Sequence, residues 1–179
     1  MPLTRFIDAL KGNNWLKVKE VIDEIDAADL WPEAVASMCQ LNNPHLLIQT
    51  GFHSYWTERG FRVRAAVAND AIMIDALRIL LPVYQGLGQS LYRGENLDRW
   101  LANNIGFGWS LDREIGRMFG EGLAASEGTG GILLSADAPR EAIIAGPNAH
   151  SETLGESEFI VDPRLLQNIR EIERYPRIY

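Results

Sequence analysis

Residues 77–94 read LRILLPVYQGLGQSLYRG, and the change of character inside this stretch decides the fold. Up to Leu81 the apolar residues continue a helical period read over 61–81, where Ala65, Ile72, Leu77 and Leu80 are among the apolar positions. Pro82 closes that helix. Beyond it come Gly86 and Gly88, and then a short apolar run, Gln89–Arg93, which reads as a strand. Three glycines, Gly12, Gly51 and Gly60, precede Pro82, and the other 13 of the 16 follow it. Glycine is costly inside helices and useful in turns and tight strands. The chain therefore reads as a helical segment over 1–82 followed by a strand-and-loop unit over 83–179, an α+β protein.

Working back from Pro82, the first part resolves into further helices. Thr4 is placed to cap one that ends near Gly12, and Asn14 opens a second that runs to about Asp26, with Trp15, Val18, Val21 and Ile22 at helical spacing. Pro32 suits the first turn of a helix reaching about Leu41, and Pro44 repeats that arrangement for Leu46 to about Arg59. No fixed period marks a repeat. His45 and His53 fall on one presumed helix but lack a carboxylate or thiol at ligand spacing, so both read as packing or surface residues.

Composition removes several classes of function. The chain has 179 residues, 46% of them apolar, a net charge of −7 and one cysteine, Cys39. It can bury a sizeable core, but it cannot build an intrachain disulfide framework or a thiolate metal cluster. The acidic balance argues against coating nucleic acid or an anionic membrane by bulk charge. No apolar run approaches the roughly 20 residues of a membrane span, and MPLTRFIDAL lacks the apolar stretch of a signal peptide. The expectation is a soluble, cytoplasmic protein.

Working forward from Gly88, the strand candidates are Gln89–Arg93, Phe107–Trp109, Gly131–Ser135, Ala142–Ala145 and Ser157–Val161. One helix stands out, Leu111 to about Phe119, with Ser110 as cap and Leu111, Ile115, Met118 and Phe119 as its apolar stripe. Glu121–Gly131 and Gly146–Gly155 read as long loops, the kind that often carry function.

Three polar stretches in this part are hard to assign to packing alone. In GESEFIVDP, 155–163, strand alternation sends Ser157, Phe159 and Val161 to one face and Glu156, Glu158 and Ile160 to the other. Two carboxylates are then aimed in one direction; the structural alternative is an exposed strand face. In Leu91-Tyr92-Arg93-Gly94-Glu95, the arginine could lie bidentate on a diphosphate, with Gly94 admitting a ligand to the backbone. The alternative there is a strand-end arginine paired with Glu95 or a carbonyl. In Gly106-Phe107-Gly108-Trp109-Ser110, the alternative is a turn, a core tryptophan and a helix cap.

Taken in order, Tyr92-Arg93-Gly94, Trp109-Ser110-Leu111-Asp112-Arg113-Glu114 and Glu156-Ser157-Glu158-Phe159 resemble the ADP-ribosyltransferase family. The likeness is to the branch marked by an arginine, a serine-rich strand and a Glu-x-Glu pair, and it covers roughly residues 89–163. It implies antiparallel or mixed sheets around an NAD cleft, and a mono-ADP-ribosyltransferase that breaks the nicotinamide–ribose bond through an oxocarbenium-like ribose. By that resemblance Glu158 stabilises the cation, Glu156 orients or deprotonates the acceptor, and Arg93 holds the phosphate side of NAD. Tyr92, Gly94, Gly108, Trp109 and Ser110 would border NAD, which is a substrate, and no metal is implied. The 146–155 segment corresponds to the acceptor-recognition loop.

In this likeness Gly108 stands where the family's bracing serine belongs, with Ser110 at the third position of the motif. The implied acceptor is a macromolecule, a protein before a nucleic-acid base, and a glutamate at 156 is similar to arginine-modifying members. The implied setting is a toxin, secreted effector or phage-related modifier, cytoplasmic or delivered into a host cytoplasm, with an antitoxin or inhibitor protein as a further partner. The alternatives are a transferase acting on a nucleic-acid base and a binding module without turnover.

Overall fold

Asn14 and Asn69 each accept a hydrogen bond from the first turn of a helix, from Lys17 N at 3.1 Å and Ile72 N at 3.2 Å. Such caps satisfy amides that a helix start leaves open. The structure is a computed structural model and describes residues 1–178. The chain divides after Val83, one residue from the division read at Pro82.

The first unit, Met1–Val83, holds five helices: α1 (Pro2–Lys11), α2 (Trp15–Ala27), α3 (Trp31–Met38), α4 (Leu46–Val67) and α5 (Asp70–Leu80). Their inward faces meet on Phe6, Ile25, Trp31, Met38, Phe52, Met73 and Leu77, all essentially inaccessible to solvent. Several helix ends differ from the sequence reading. Helix α1 starts at Pro2 without a side-chain cap, so Thr4 lies inside it. Helix α3 stops at Met38, short of Leu41. Pro44 precedes the first turn of α4, and His45 caps it by accepting from Leu47 N through Nδ1. His53 is buried in the middle of the same helix.

The largest correction is at Gly60. Sequence reading ends one helix near Arg59 and starts another at 61, yet α4 runs through to Val67. Gly60 is there for space, because a Cβ at that position would meet the Trp56 ring at 2.7 Å. The chain turns instead at Ala68, in the left-handed region at φ 50°, ψ 27°. A side chain in that conformation costs about 1 kcal/mol against glycine. Ala68→Gly, at an exposed position, is therefore expected to stabilise the protein by about 1 kcal/mol, read as a higher urea midpoint at unchanged slope.

The second unit, from Tyr84, is built on one six-stranded sheet: β1 (Gln89–Asn96), β2 (Gly108–Ser110), β3 (Gly130–Ala138), β4 (Ile143–Ala145), β5 (Glu158–Val161) and β6 (Gln167–Pro176). The order is β4-β5-β2-β1-β3-β6, and every neighbouring pair is antiparallel. The α+β class stands, with one antiparallel sheet in place of several or mixed ones. Strand β6, absent from the sequence reading, pairs along β3 with two register shifts and closes one edge. Short helix α6 (Leu97–Leu101) lies in a stretch that the sequence reading does not assign, α8 (Ala149–Thr153) lies in one read as loop, and Leu123–Ser126 forms a single 3-10 turn.

Helix α7 (Arg113–Glu121) packs differently from expectation. Its cap is Asp112, which accepts from Glu114 N at 2.8 Å; Ser110 has another task, described below. Leu111 and Met118, read as part of its apolar stripe, are about half exposed. The buried residues of α7 are Gly116 and Gly120. A Cβ on Gly94 would lie 2.1 Å from Gly120 N and 2.4 Å from Gly116 O, so the helix backbone rests directly on β1. Glycine against glycine brings the two elements closer than any apolar stripe allows.

Candidate active site

Three of the strands that carry the singled-out residues are adjacent: β5, β2 and β1. Register aligns Tyr92 with Ser110 and Ser110 with Glu158, one row across three strands. Partners directly opposite one another share a face of the sheet, so this row lies on one side. Pleating sends Leu91, Arg93 and Glu95 to the other side, with Trp109 and Phe159. That second side carries the core cluster of Leu91, Trp109, Ile132, Leu134 and Phe159.

The ladder between β1 and β2 stops at the Tyr92–Ser110 pair. Beyond it Arg93 takes over the bonding: Nη1 donates to the Gly108 carbonyl, and Nε donates to Glu95 Oε2 at 2.8 Å. Glu95 is 2% exposed. Its Oε2 also accepts from Gly106 N at 2.7 Å, and its Oε1 accepts from Asn96 N at 2.9 Å and faces Arg99 Nε at 3.7 Å. Burial pushes the Glu95 carboxyl up, but Arg93, Arg99 and the Gly106 amide outweigh it and hold it below the usual glutamate range. Gly106 has no side chain because the guanidinium lies there; a Cβ would fall 1.9 Å from Arg93 Nη2.

A guanidinium carries five N–H groups. Arg93 uses its Nε–H and one Nη1–H on the protein, and its other three find no partner among the described residues. The side chain is 19% exposed. The Glu95 pairing weighed from the sequence is therefore present, and it leaves a fixed cation with donors in hand.

Glu158, on β5, borders Gly108 from the Ser110 face. A Cβ on Gly108 would stand 1.9 Å from Glu158 Oε1, so this carboxylate fills the space that a serine at 108 would need. Arg93 and Glu158, which start from opposite faces of the sheet, both border Gly108, one at its carbonyl and one over its α-carbon. The glycine at 108 makes room for the carboxylate. Gly108→Ser is expected to push Glu158 aside with the fold retained, because the obstructing atom ends a flexible side chain. A displacement of that size can cost a reaction on the order of 10²-fold, measured as turnover at unchanged near-ultraviolet circular dichroism.

Glu156 is held separately. Ser157 adopts φ 44°, so strand β5 begins only at Glu158 and the alternation read across 156–160 fails. Glu156 therefore leaves the pleat instead of joining Glu158 on one strand face. Three bonds fix this turn. Ser110 Oγ donates to the Glu156 carbonyl at 3.0 Å, and the amides of Glu156 and Ser157 donate to the Ser151 carbonyl at 2.9 and 3.2 Å. Ser110 Oγ also accepts from Asp112 N at 3.1 Å, tying the turn to the start of α7. Ser151 is itself buried in a capping box with Asn148, which gives the 146–155 segment a rigid anchor. Burial lifts the Glu156 carboxyl above the usual range, and His150 pulls it partly back.

The remaining sequence candidates have structural tasks. Trp109 is buried in the core and donates from Nε1 to the Gly106 carbonyl at 3.2 Å. Gly94 admits α7, not a ligand. Tyr92 shares that covered side, its Cβ 3.1 Å from where a Cβ on Gly116 would stand. Sequence reading weighed Glu95 only as a counter-charge; its place two residues from Arg93, on the same strand face, was the available signal. Among the described residues no group of three or more His, Cys, Asp or Glu is placed to hold a metal ion, and no helix is long and apolar enough to cross a membrane. No protein-family model, characterised protein or solved structure matches the chain.

Proposed function

We propose that the chain is an NAD-dependent mono-ADP-ribosyltransferase whose acceptor is a protein. The observation that carries this reading is that Arg93 and Glu158 both border Gly108. A cation with three open N–H groups suits a diphosphate. A carboxylate that borders the same glycine suits the positive charge that develops on ribose as its bond to nicotinamide breaks. The side-chain-free positions at Gly106 and Gly108 are taken up by these two groups, which fits residues arranged to act on one bound molecule.

In this reading nicotinamide leaves with the electron pair of the broken carbon–nitrogen bond, and the acceptor's nucleophile forms the new bond to the same carbon. The acceptor's proton passes to Glu156. Its raised pKa brings it closer to neutrality, where a general base is more effective. Ser110 fixes the Glu156 backbone, so in this reading the serine of the motif acts by placing Glu156.

Incubation of the full chain with NAD labelled in its adenylate part and a cell lysate tests the reading. Label retained on macromolecules and released by protease is the expected result. Label released by nuclease would move the acceptor to a nucleic-acid base. Absence of both label and NAD hydrolysis would overturn the transferase reading in favour of a binding module.

A further inference from the structure

The most fully bonded buried polar group beside the site is Glu95, which the reaction above does not use. We infer that Glu95 is a positioning residue: it sets the affinity for NAD by fixing the Arg93 guanidinium, and this role rests on the transferase reading. Its carboxylate joins two elements. One oxygen accepts from Arg93 Nε on β1 and from Gly106 N in the segment leading to β2; the other accepts from Asn96 N. Arg93 is thereby locked to the loop that borders Gly108. The Nη1 bond to the Gly108 carbonyl then sets the plane of the guanidinium. A guanidinium held at two points loses little further freedom when it takes up an anion, so binding is stronger than for a mobile arginine.

Two effects of Glu95 on an anionic ligand oppose each other. Its negative charge repels a diphosphate, while its hydrogen bonds preorient the group that attracts it. Because they oppose, the sign of the change on neutralisation separates them. Glutamine at 95 removes the charge, which by itself would tighten NAD. It also presents an amide NH2 in place of one accepting oxygen, and that NH2 must face either the Arg93 and Gly106 donors or the Asn96 donor. Donor against donor displaces one of them, so orientation is lost.

The test is NAD titration by calorimetry on the full chain, with near-ultraviolet circular dichroism as the check of folding. Glu95→Gln is expected to weaken NAD about ten- to hundredfold, the scale of one charge-assisted hydrogen bond. Glu95→Asp, which keeps the charge but withdraws it by one methylene, is expected to fall between Glu95→Gln and the wild type. Gly106→Ala keeps Glu95 intact and pushes the guanidinium away through a Cβ 1.9 Å from Nη2. It is expected to weaken NAD by a similar factor, and it stands in should Glu95→Gln fail to fold. Unchanged or tighter NAD binding in folded Glu95→Gln, or in Gly106→Ala, overturns the positioning role while leaving the transferase reading in place. A wild-type chain that binds no NAD at millimolar concentration overturns that reading and this role together.

Discussion

Glu158→Gln is expected to lower both ADP-ribose transfer and NAD hydrolysis by about 10²–10³-fold, the scale of removing one preorganised electrostatic stabiliser. Glutamine keeps the shape of the side chain and loses the charge that, in the transferase reading, balances a developing ribose cation. Its Oε1 position over Gly108 needs no rearrangement, so thermal unfolding should stay within a few degrees of the wild type. Glu156→Gln should separate the two activities. Transfer falls, because the acceptor's proton has no base, while NAD hydrolysis persists, because water needs less help than a protein side chain. The pH dependence follows with the same sign. Burial raises the Glu156 carboxyl, so transfer is expected to fall on acidification at a pH above the ordinary glutamate value of about 4.3. Hydrolysis should lack that limb. A folded Glu158→Gln chain with wild-type hydrolysis would remove Glu158 from the chemistry.

How far the sequence showed these features varies with their physical origin. Local signals were read well: Asn14 as a helix opener, Pro32 in a first turn, and the glycine imbalance that marks the division near Pro82. Two backbone positions misled, both non-glycine residues in the left-handed region. Ala68 ends α4 where no turn residue announces it, and Ser157 breaks the strand between the two glutamates. Periodicity failed at α7, where Leu111 and Met118 follow a helical stripe but the sheet takes the glycine face. It failed again at β6, QNIREIERYP, whose exposed, charged residues carry no clean alternation. That strand exists because β3 offers it a partner, a tertiary effect that local propensity does not contain.

The same distinction applies to the site. Arg93, Ser110 and Glu158 stood out as residue types in a recognisable order. What each one touches depends on register, and register is written in the pairing of distant strands. Glu158 came to rest over Gly108 because β5 pairs beside β2 with Ile160 opposite Gly108. The sequence alone presents that glycine as a missing serine; the pairing shows it as a vacancy filled by the carboxylate of the next strand.

Arg93→Ala is expected to cost about 3–5 kcal/mol of folding stability at neutral pH, the scale of leaving a buried ion without its partner. A domain of this size holds about 5–15 kcal/mol in all, so much of the loss of activity in this variant would come from unfolding. The pH dependence identifies the cause. In the wild type, the influences on Glu95 net to a carboxyl held below its ordinary range, despite burial. The unfolded state then binds more protons than the native state as pH falls past about 4.3, so the stability Glu95 contributes is lost in acid. Without Arg93, burial dominates, Arg99 at 3.7 Å being the nearest remaining cation. The carboxyl rises above its ordinary range and the sign reverses: protonation now favours the folded state. The deficit of Arg93→Ala should therefore be greatest near pH 7.5 and shrink toward pH 4.5, read from urea unfolding at both values. A deficit that is independent of pH would mean that Arg93 stabilises the fold through packing alone. In that case the loss of NAD binding in Arg93→Lys, which retains a cation for Glu95 but not the planar fork, becomes the cleaner measure of what the guanidinium does for the ligand.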